Sequence, residues 1–286
     1  MMTPRAGLRK ARAWAEIIRP GNSIVIGMGA LTGYFVSGGH NLLEALLLAL
    51  SAALIGAAGN VINDYFDVGP DTVSKPWRPI PSGRISLEEA RSAWASLTLT
   101  GLIIALFVSL KCFFIALVAA LLLYAYSWRL KRLGLPGNVV IASLSLLVII
   151  YGGVVAPNPA YSLMPGVYAF LVILGRELYK GVEDVGGDSR YGIRTVASSL
   201  GISVAVLWGT VVLYMLVTIS PLPAIVGYCS NTIAYSVLAF LGVDVPVLVA
   251  SVMMLSNPVR NAWRATRILK LPLLAGLLAF IAGCLP

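Results

Sequence analysis

Charged residues are scarce in this sequence of 286 residues. Asp, Glu, Lys and Arg together make up 12% of it, whereas hydrophobic residues make up 58%. A water-soluble globular domain typically contains about 25% charged and about 45–50% apolar residues. The composition therefore excludes a disordered chain, a collagen and a cytosolic enzyme, and it indicates a protein whose solvent is largely lipid.

Cysteine and histidine are also rare. The three cysteines, Cys112, Cys229 and Cys284, are odd in number, far apart and each set in an apolar run. We therefore expect them to be packing residues and expect neither a disulfide framework nor a metal knuckle. The only histidine, His40, lies in a short connection and is not expected to be catalytic.

Long apolar stretches are abundant. A membrane-spanning helix needs about 20 mostly apolar residues. Nine candidate stretches lie near residues 20–37, 42–63, 92–109, 112–128, 138–156, 163–178, 200–219, 232–255 and 271–285. The eighth is the least regular, because Pro221 and Pro223 precede it and Asp244 and Pro246 interrupt it. We predict an all-α polytopic membrane protein, with residues 1–286 forming a single domain of nine transmembrane helices.

The basic residues test this count. The formal net charge of +9 is compatible with nucleic-acid binding, but Lys and Arg also accumulate in the cytoplasmic loops of membrane proteins. With nine spans, 20 of the 21 basic residues fall on one side and only Lys111 falls on the other. We therefore predict a multi-pass protein of the cell membrane, with its N-terminus in the cytoplasm, its C-terminus outside and no nucleic-acid partner.

Two long polar loops, 64–91 and 179–199, lie on the predicted cytoplasmic side, whereas the external connections are short. Seven of the 12 acidic residues fall within 64–71 and 177–188. The sequence therefore predicts the active site on the cytoplasmic side, within these two loops. Membrane lipids would surround the remainder of the chain.

The first acidic motif spans residues 60–71. Asn60, Asp64, Asp67 and Asp71 are spaced by four, three and four residues, which is the repeat of one helix face. Three carboxylates on one face repel each other, and unpaired charges at a membrane helix end are costly. Oxygen ligands of this kind suit Mg²⁺, which proteins usually hold through one or two carboxylates together with substrate phosphate.

The second acidic motif repeats this spacing at positions 177, 181, 184 and 188, although Gly181 offers no ligand. Asp184 and Asp188 remain as a pair. We predict that the two motifs face each other across a cavity and that each binds a metal ion. A diphosphate would fit between them, because two Mg²⁺ ions neutralise the charge on a departing diphosphate. Basic residues follow both motifs and are candidate phosphate donors.

These residues resemble the signatures of the UbiA superfamily of intramembrane prenyltransferases. Residues 63–71 match its NDxxDxxxD motif, and residues 75–86 are similar to its RPxxxG stretch. Residues 126–131, with Gly137 and Asn138, are similar to its Tyr/Lys element, and residues 184–188 match its second acidic motif. Where relatives often have Lys-Asp, this chain has Lys180-Gly181, and Glu177 or Glu183 are candidates to compensate for the missing carboxylate.

The resemblance implies Mg²⁺-dependent transfer of a prenyl group from an allylic diphosphate to an acceptor in the membrane, within a cavity dry enough to protect an allylic cation from water. The implied catalytic residues are Asp64, Asp67, Asp71, Asp184 and Asp188. The implied metal ligands are these five with Asn60. The implied substrate-binding residues are Asn60, Asn63, Lys75, Arg78, Tyr126, Lys131 and Lys180, with the Tyr126 ring facing the cation.

The acceptor is less narrowly defined. The second motif is most similar to that of the archaeal ether-lipid branch, whose members attach a geranylgeranyl group to geranylgeranylglyceryl phosphate. An aromatic acceptor, such as 4-hydroxybenzoate or another quinone precursor, is the alternative. A transporter is the alternative outside enzymes, but transport sites lie near the bilayer midplane, whereas these carboxylates lie at helix ends.

Overall fold

The computed structural model describes residues 4–185 and 194–285. These residues form helices and connections and contain no β-strand, only an isolated bridge between Leu133 and Arg194. The helices are α1 Pro4–Ile18, α2 Pro20–Val36, α3 Leu42–Phe66, α4 Val68–Ser74, α5 Leu87–Val108, α6 Leu110–Trp128, α7 Leu135–Gly153, α8 Leu163–Glu183, α9 Val196–Leu200, α10 Ile202–Ile219, α11 Leu222–Ile225, α12 Thr232–Ala239, α13 Val245–Ser256, α14 Pro258–Ile268 and α15 Leu271–Gly283. A π-helical turn, Phe240–Asp244, joins α12 to α13.

Helices of membrane-spanning length dominate the described residues, so the chain is a polytopic helical membrane protein. In the part of the chain that the structure describes, seven helical segments are long and apolar enough to cross a bilayer: Leu42–Phe66, Leu87–Val108, Leu110–Trp128, Leu135–Gly153, Ile202–Ile225, Thr232–Ser256 and Pro258–Gly283. The other two predicted spans are also helical. However, α2 has only 17 residues, and α8 carries charged residues in its last two turns.

Polar side chains define where several helices begin. Asn41 accepts hydrogen bonds from the backbone N–H groups of Leu43 and Glu44, and Ser86 forms a reciprocal capping box with Glu89. Such caps satisfy N–H groups that have no partner inside the helix. Proline at the first turn of α2 and α7 costs nothing for the same reason.

The hydrophobic core lies between closely packed helices. α3 packs against α2, α5 and α6, and α7 packs against both α2 and α8. At the α2–α7 crossing, a Cβ atom on Gly33 would lie 1.8 Å from the Ile149 carbonyl oxygen, and one on Gly152 would lie 1.8 Å from that of Ala30. Only glycine permits two backbones to approach so closely. The contact joins α2, which precedes the helix of the first acidic motif, to α7 in the middle of the bundle.

The prediction that all three cysteines are packing residues is wrong for two of them. Cys229 and Cys284 form a disulfide bond, while Cys112 is buried with a free thiol. The pairing was hidden because 55 residues separate the two cysteines in sequence, and only the packing of α12 against α15 brings them together. The Ser230 hydroxyl donates to the Leu285 carbonyl oxygen at 2.6 Å beside this disulfide.

The two segments predicted as polar loops are more helical than expected. α3 continues through Asp64 to Phe66, and α4 follows after one residue; α8 continues to Glu183. The reason is local: Asp67 N–H donates to the Asn63 carbonyl and Asp71 N–H to the Asp67 carbonyl, so polar residues prolong the helical pattern beyond the apolar stretch. The acidic side chains therefore lie on rigid elements.

Candidate active site

A cavity of about 1220 Å³ lies inside the helix bundle. One end is lined by residues of both acidic motifs, including Asn63, Asp67, Asp71 and Asp184. The rest is lined mainly by apolar side chains of α2, α3, α6, α7, α8 and α15. A polar mouth and an apolar interior suit an amphiphilic ligand with an anionic head and a hydrocarbon tail.

The first acidic motif bends around its end of the cavity. Asn60 and Asp64 lie on the last turns of α3, Asp67 is the single residue between α3 and α4, and Asp71 lies on α4. Asp64 and Asp71 are each 4% exposed. The predicted single helix face is thus interrupted at Asp67, yet all four residues remain within two consecutive helices.

Two arginines neutralise the buried carboxylates. Arg78 Nη1 lies 2.5 Å from Asp71 Oδ2 and 3.4 Å from Asp64 Oδ1, while Arg19 Nη2 lies 2.5 Å from Asp64 Oδ1. Arg19 and Arg78 line the cavity, whereas Asp64 is linked to it only through its ion pairs with these two arginines. Charge-assisted pairs of this kind hold the carboxylates in place.

The sequence predicted Arg78 as a substrate-binding residue but assigned Arg19 only to membrane orientation. Arg19 joins α1 to α2 and has a φ of 50°, in the left-handed region that non-glycine residues rarely adopt. The available signal was its place before Pro20, because a residue preceding proline disfavours the α-helical conformation. The helix break at Arg19 turns its side chain toward Asp64.

Lys131 reaches Asp67 from the other side of the motif. The two side chains form an ion pair, and the Lys131 side chain is only 10% exposed. Lys131 lies in the short turn Leu130–Arg132, which packs against the start of α7. Gly137 permits this contact, because a Cβ atom there would lie 2.6 Å from the Leu130 carbonyl oxygen.

The two asparagines of the first motif differ in their contacts. Asn60 donates from Nδ2 to the Ile18 carbonyl at 3.1 Å and accepts from Asn22 at 3.4 Å, so it joins α3 to the α1–α2 junction. Asn63 donates to Asp67 Oδ2 at 3.3 Å, but its buried Oδ1 has no hydrogen-bond partner within the described residues. A buried oxygen without a partner is costly and is suited to a cation.

The second motif is more open. The Asp184 side chain is 36% exposed and, one residue after α8, pairs with Lys180 in the last turn of that helix, with 3.3 Å between Nζ and Oδ2. Gly181 also lines the cavity, and a Cβ atom there would make only ordinary contact, 3.4 Å, with Thr195 Cβ. Asp188, the other predicted ligand of this motif, lies outside the described residues.

The two glutamates considered as substitutes for Gly181 line the cavity but are already engaged. Glu177 accepts from Arg176 at 2.7 Å, and Glu183 accepts from the Thr266 hydroxyl of α14 at 2.6 Å. Arg176 also donates to the Thr266 carbonyl oxygen. These contacts fasten α8 to α14 beside the second motif.

The remaining predicted site residues, Lys75 and Tyr126, also line the cavity. Lys75 follows α4, where its N–H donates to the Asp71 carbonyl. Tyr126 lies near the end of α6. Every predicted site residue in the described part of the chain therefore lies at the cavity or, in the case of Asp64, pairs with residues that line it.

The described carboxylates fit Mg²⁺ if other oxygen atoms complete the ligand set. Within residues 4–185 and 194–285, no group of three acidic, cysteine or histidine side chains converges on one point. Two carboxylates with the unpartnered Asn63 oxygen, or with phosphate oxygens of a substrate, would complete a set of hard ligands. Mg²⁺ is bound in this manner rather than in cages built from protein alone.

The described carboxylates of the two motifs already have basic partners. Asp64, Asp67, Asp71 and Asp184 are matched by Arg19, Arg78, Lys131 and Lys180. A diphosphate entering alone would leave a large uncompensated negative charge at the end of a membrane bundle, which is unfavourable. The site therefore requires cations to accompany such a ligand.

A further ion pair secures the loop that carries Arg78. Arg84 Nη2 lies 2.6 Å from Glu16 Oε2 of α1 and also donates to the Trp77 carbonyl oxygen. The hydrogen bond from Arg84 holds the pKa of Glu16 below its ordinary value. The α1 helix and the Arg78 loop are thus joined outside the cavity.

Comparison with known proteins matches residues 26–274 to the UbiA prenyltransferase family. The chain is 39% identical to digeranylgeranylglyceryl phosphate synthase of Hyperthermus butylicus, covering 98% of this chain and 99% of the relative. It superimposes with a TM-score of 0.76, at 33% identity, on a structure of a digeranylgeranylglyceryl phosphate synthase in membranes, covering 96% and 99% of the two chains. A UbiA homologue from Archaeoglobus fulgidus bound to DMAPP and Mg²⁺ shares the fold, with a TM-score of 0.68, 18% identity and coverage of 94% and 99%.

Proposed function

Because the chain belongs to the UbiA prenyltransferase family, we propose that it catalyses Mg²⁺-dependent transfer of a geranylgeranyl group from its diphosphate to geranylgeranylglyceryl phosphate, as a step in ether-lipid synthesis. The observation that carries the proposal is the cavity, which has both acidic motifs at one end and apolar side chains over the rest. The name of the Hyperthermus relative supports the acceptor, and the DMAPP and Mg²⁺ bound to the Archaeoglobus homologue support the donor and the cofactor.

The residues divide into two roles. Asp64, Asp67 and Asp71 with Asn60 would hold one Mg²⁺, and Asp184 with Asp188 would hold the other. Bound Mg²⁺ would neutralise negative charge on the diphosphate as the allylic C–O bond breaks. The unpartnered oxygen of Asn63 supports a cation at the first motif, and Asn63 would also orient Asp67.

The basic side chains would bind the diphosphate itself. Lys75, Arg78, Lys131 and Lys180 line the cavity, and three of them now pair with the carboxylates named above. If those carboxylates held a cation instead, the bases would be free to donate to the diphosphate oxygens. Arg provides a forked pair of donors and Lys a point charge, so each suits phosphate.

The apolar part of the cavity would hold the hydrocarbon chain and exclude water. An allylic cation is quenched by water, so a dry cavity protects the transfer. Tyr126 lines the cavity near the end of α6, where its ring would stabilise the cation. A lipid acceptor would enter from the surrounding bilayer without leaving an apolar environment.

The proposed topology is nine membrane crossings in one domain, with the N-terminus and the acidic motifs in the cytoplasm, the C-terminus outside, and the protein in the cell membrane. The distribution of Lys and Arg supports this orientation. The Cys229–Cys284 disulfide supports it too, since disulfides persist mainly in oxidising compartments and both cysteines fall on the predicted external side.

A competition assay tests the acceptor. Purified protein receives geranylgeranyl diphosphate, Mg²⁺, geranylgeranylglyceryl phosphate and 4-hydroxybenzoate, and the products are identified by mass. We expect digeranylgeranylglyceryl phosphate with equimolar release of diphosphate. A prenylated benzoate would instead establish the aromatic-acceptor alternative, and no release of diphosphate with either acceptor would favour transport.

A further inference from the structure

On the side of the cavity formed by α2, α3, α6 and α7, the lining residues stop partway along each helix, and this end of the cavity is called the floor. Lining residues on α2 end at Gly29, those on α3 begin at Ser51, those on α6 begin at Ile115 and those on α7 end at Tyr151. Beyond this level the space is filled by buried side chains, among them Tyr34, Leu48 and Cys112.

Tyr151 is the large side chain of this floor. It is 3% exposed, and the other floor positions around it are small or aliphatic: Gly29, Ser51, Ala52, Ile115 and Ala116. Its hydroxyl is buried beside Ser51, whose own hydroxyl donates to the Gly101 carbonyl at 2.8 Å.

The depth of the floor matches one prenyl length. Ser51 and Asp64 lie on the same helix, thirteen residues apart. At about 1.5 Å of rise for each residue, the floor lies about 20 Å from the level of Asp64, and the diphosphate would lie past this level, beside Asp67 at the end of α3, which lines the cavity. The main chain of a geranylgeranyl group has sixteen carbons, and with about 1.25 Å of advance for each C–C bond it extends about 19 Å.

We propose that Tyr151 determines prenyl chain length: its ring closes the donor's part of the cavity and excludes chains longer than four isoprene units. The inference rests on the proposed function, because it takes the donor's diphosphate to lie at the acidic motifs. It assigns the helices α2, α3, α6 and α7 to the donor chain.

Binding measurements test the floor without requiring turnover. The shift in Tm that each ligand causes in detergent with Mg²⁺ gives relative affinities for farnesyl, geranylgeranyl and farnesylgeranyl diphosphates, which have three, four and five isoprene units. In Tyr151→Ala we expect the affinity for the five-unit chain relative to the four-unit chain to rise about tenfold or more, since several methylenes gain room. An unchanged ratio would overturn the proposal.

Two further variants make the test specific. Tyr168→Ala removes another buried, cavity-lining tyrosine, from α8, and should leave the ratio as in the wild type. A shift in Tyr168→Ala but not in Tyr151→Ala would overturn the assignment of helices. Tyr151→Phe should keep the wild-type ratio, because the ring and not the hydroxyl closes the floor, and a shift as large as that of Tyr151→Ala would contradict this.

A substitution of opposite effect covers the case in which Tyr151→Ala does not fold. Ala116→Leu adds bulk at the floor and should favour the three-unit chain over the four-unit chain about tenfold. No change in this preference would also overturn the proposal. Turnover assays on the same samples distinguish failure of the proposed function from failure of this inference. Binding that depends on chain length without any transfer would contradict the proposed function but support Tyr151 as the residue that limits chain length.

Discussion

The first acidic motif is held by ion pairs that cross between different parts of the chain, whereas the described part of the second motif is held by a local pair, four residues apart, at the end of α8. Asp64 and Asp71 are buried and share Arg78, while the Asp184 side chain is 36% exposed and pairs with Lys180. The first motif is therefore preorganised by the fold. The second depends more on what it binds.

Because of this difference, substitutions in the two motifs should affect the stability of the protein differently even if both reduce its activity. Removing one partner of a buried ion pair leaves an uncompensated charge and typically costs about 3–5 kcal/mol, whereas an exposed pair on a helix contributes about 0.3–0.5 kcal/mol. If both motifs serve one diphosphate, substitutions in either should stop transfer, but only those in the first should also destabilise the protein.

The largest expected effect is at Asp64. In Asp64→Asn the carboxylate that pairs with Arg19 and Arg78 is lost, and we expect transfer to fall about a thousandfold, as when a group that stabilises developing charge is removed. The rate of geranylgeranyl transfer in detergent measures this. Activity close to that of the wild type would remove Asp64 from the site.

Arg78→Ala should give the largest loss of stability. It leaves Asp64 with Arg19 alone and Asp71 with no ion-pair partner among the described residues, so we expect a free energy of unfolding lower by about 3 kcal/mol. Unfolding in denaturant measures it. Arg84→Ala is the matched control, because Arg84 pairs with the partly exposed Glu16 and its loss should cost less than about 1 kcal/mol.

Asp184→Ala tests the contrast directly. We expect transfer to fall about a hundredfold, while the free energy of unfolding changes by less than about 0.5 kcal/mol because the pair with Lys180 is partly exposed. Both are measured on the same preparation. Destabilisation as large as that of Arg78→Ala would mean that the two motifs are equally built into the fold.

The smallest expected effect is that of a substitution that adds a carboxylate to the second motif and so makes it resemble the first. A side chain at Gly181 meets Thr195 only at ordinary contact distance, so Gly181→Asp should be accommodated. The added carboxylate should lower the Mg²⁺ concentration for half-maximal activity several-fold, because one more hard ligand faces the cavity. Gly181→Asn is the control for size, and an equal change in both variants would exclude an effect of charge.

Much of the fold could be predicted from the sequence because lipid imposes one rule on every span, a long apolar helix. That rule locates the apolar helices, but it ends two of them too early, at residues 63 and 178 instead of Phe66 and Glu183, since polar residues continue a helix when their backbone groups have partners.

Contacts between distant residues could not be predicted in this way. The Cys229–Cys284 bond and the pair between Arg19 and Asp64 each depend on how helices pack, and no local pattern reports that packing. Lys131 was different: its motif pointed to the site, and Gly137 explains how the turn that carries it comes close to α7.

The central claim is that two acidic motifs act on one diphosphate across one cavity. Its most direct test is the number of divalent ions bound to each chain in the presence of geranylgeranyl diphosphate, measured with Mn²⁺ in place of Mg²⁺. The account predicts two ions in the wild type and one in either Asp64→Asn or Asp184→Asn. A single ion in the wild type, or two ions retained in Asp184→Asn, would contradict it.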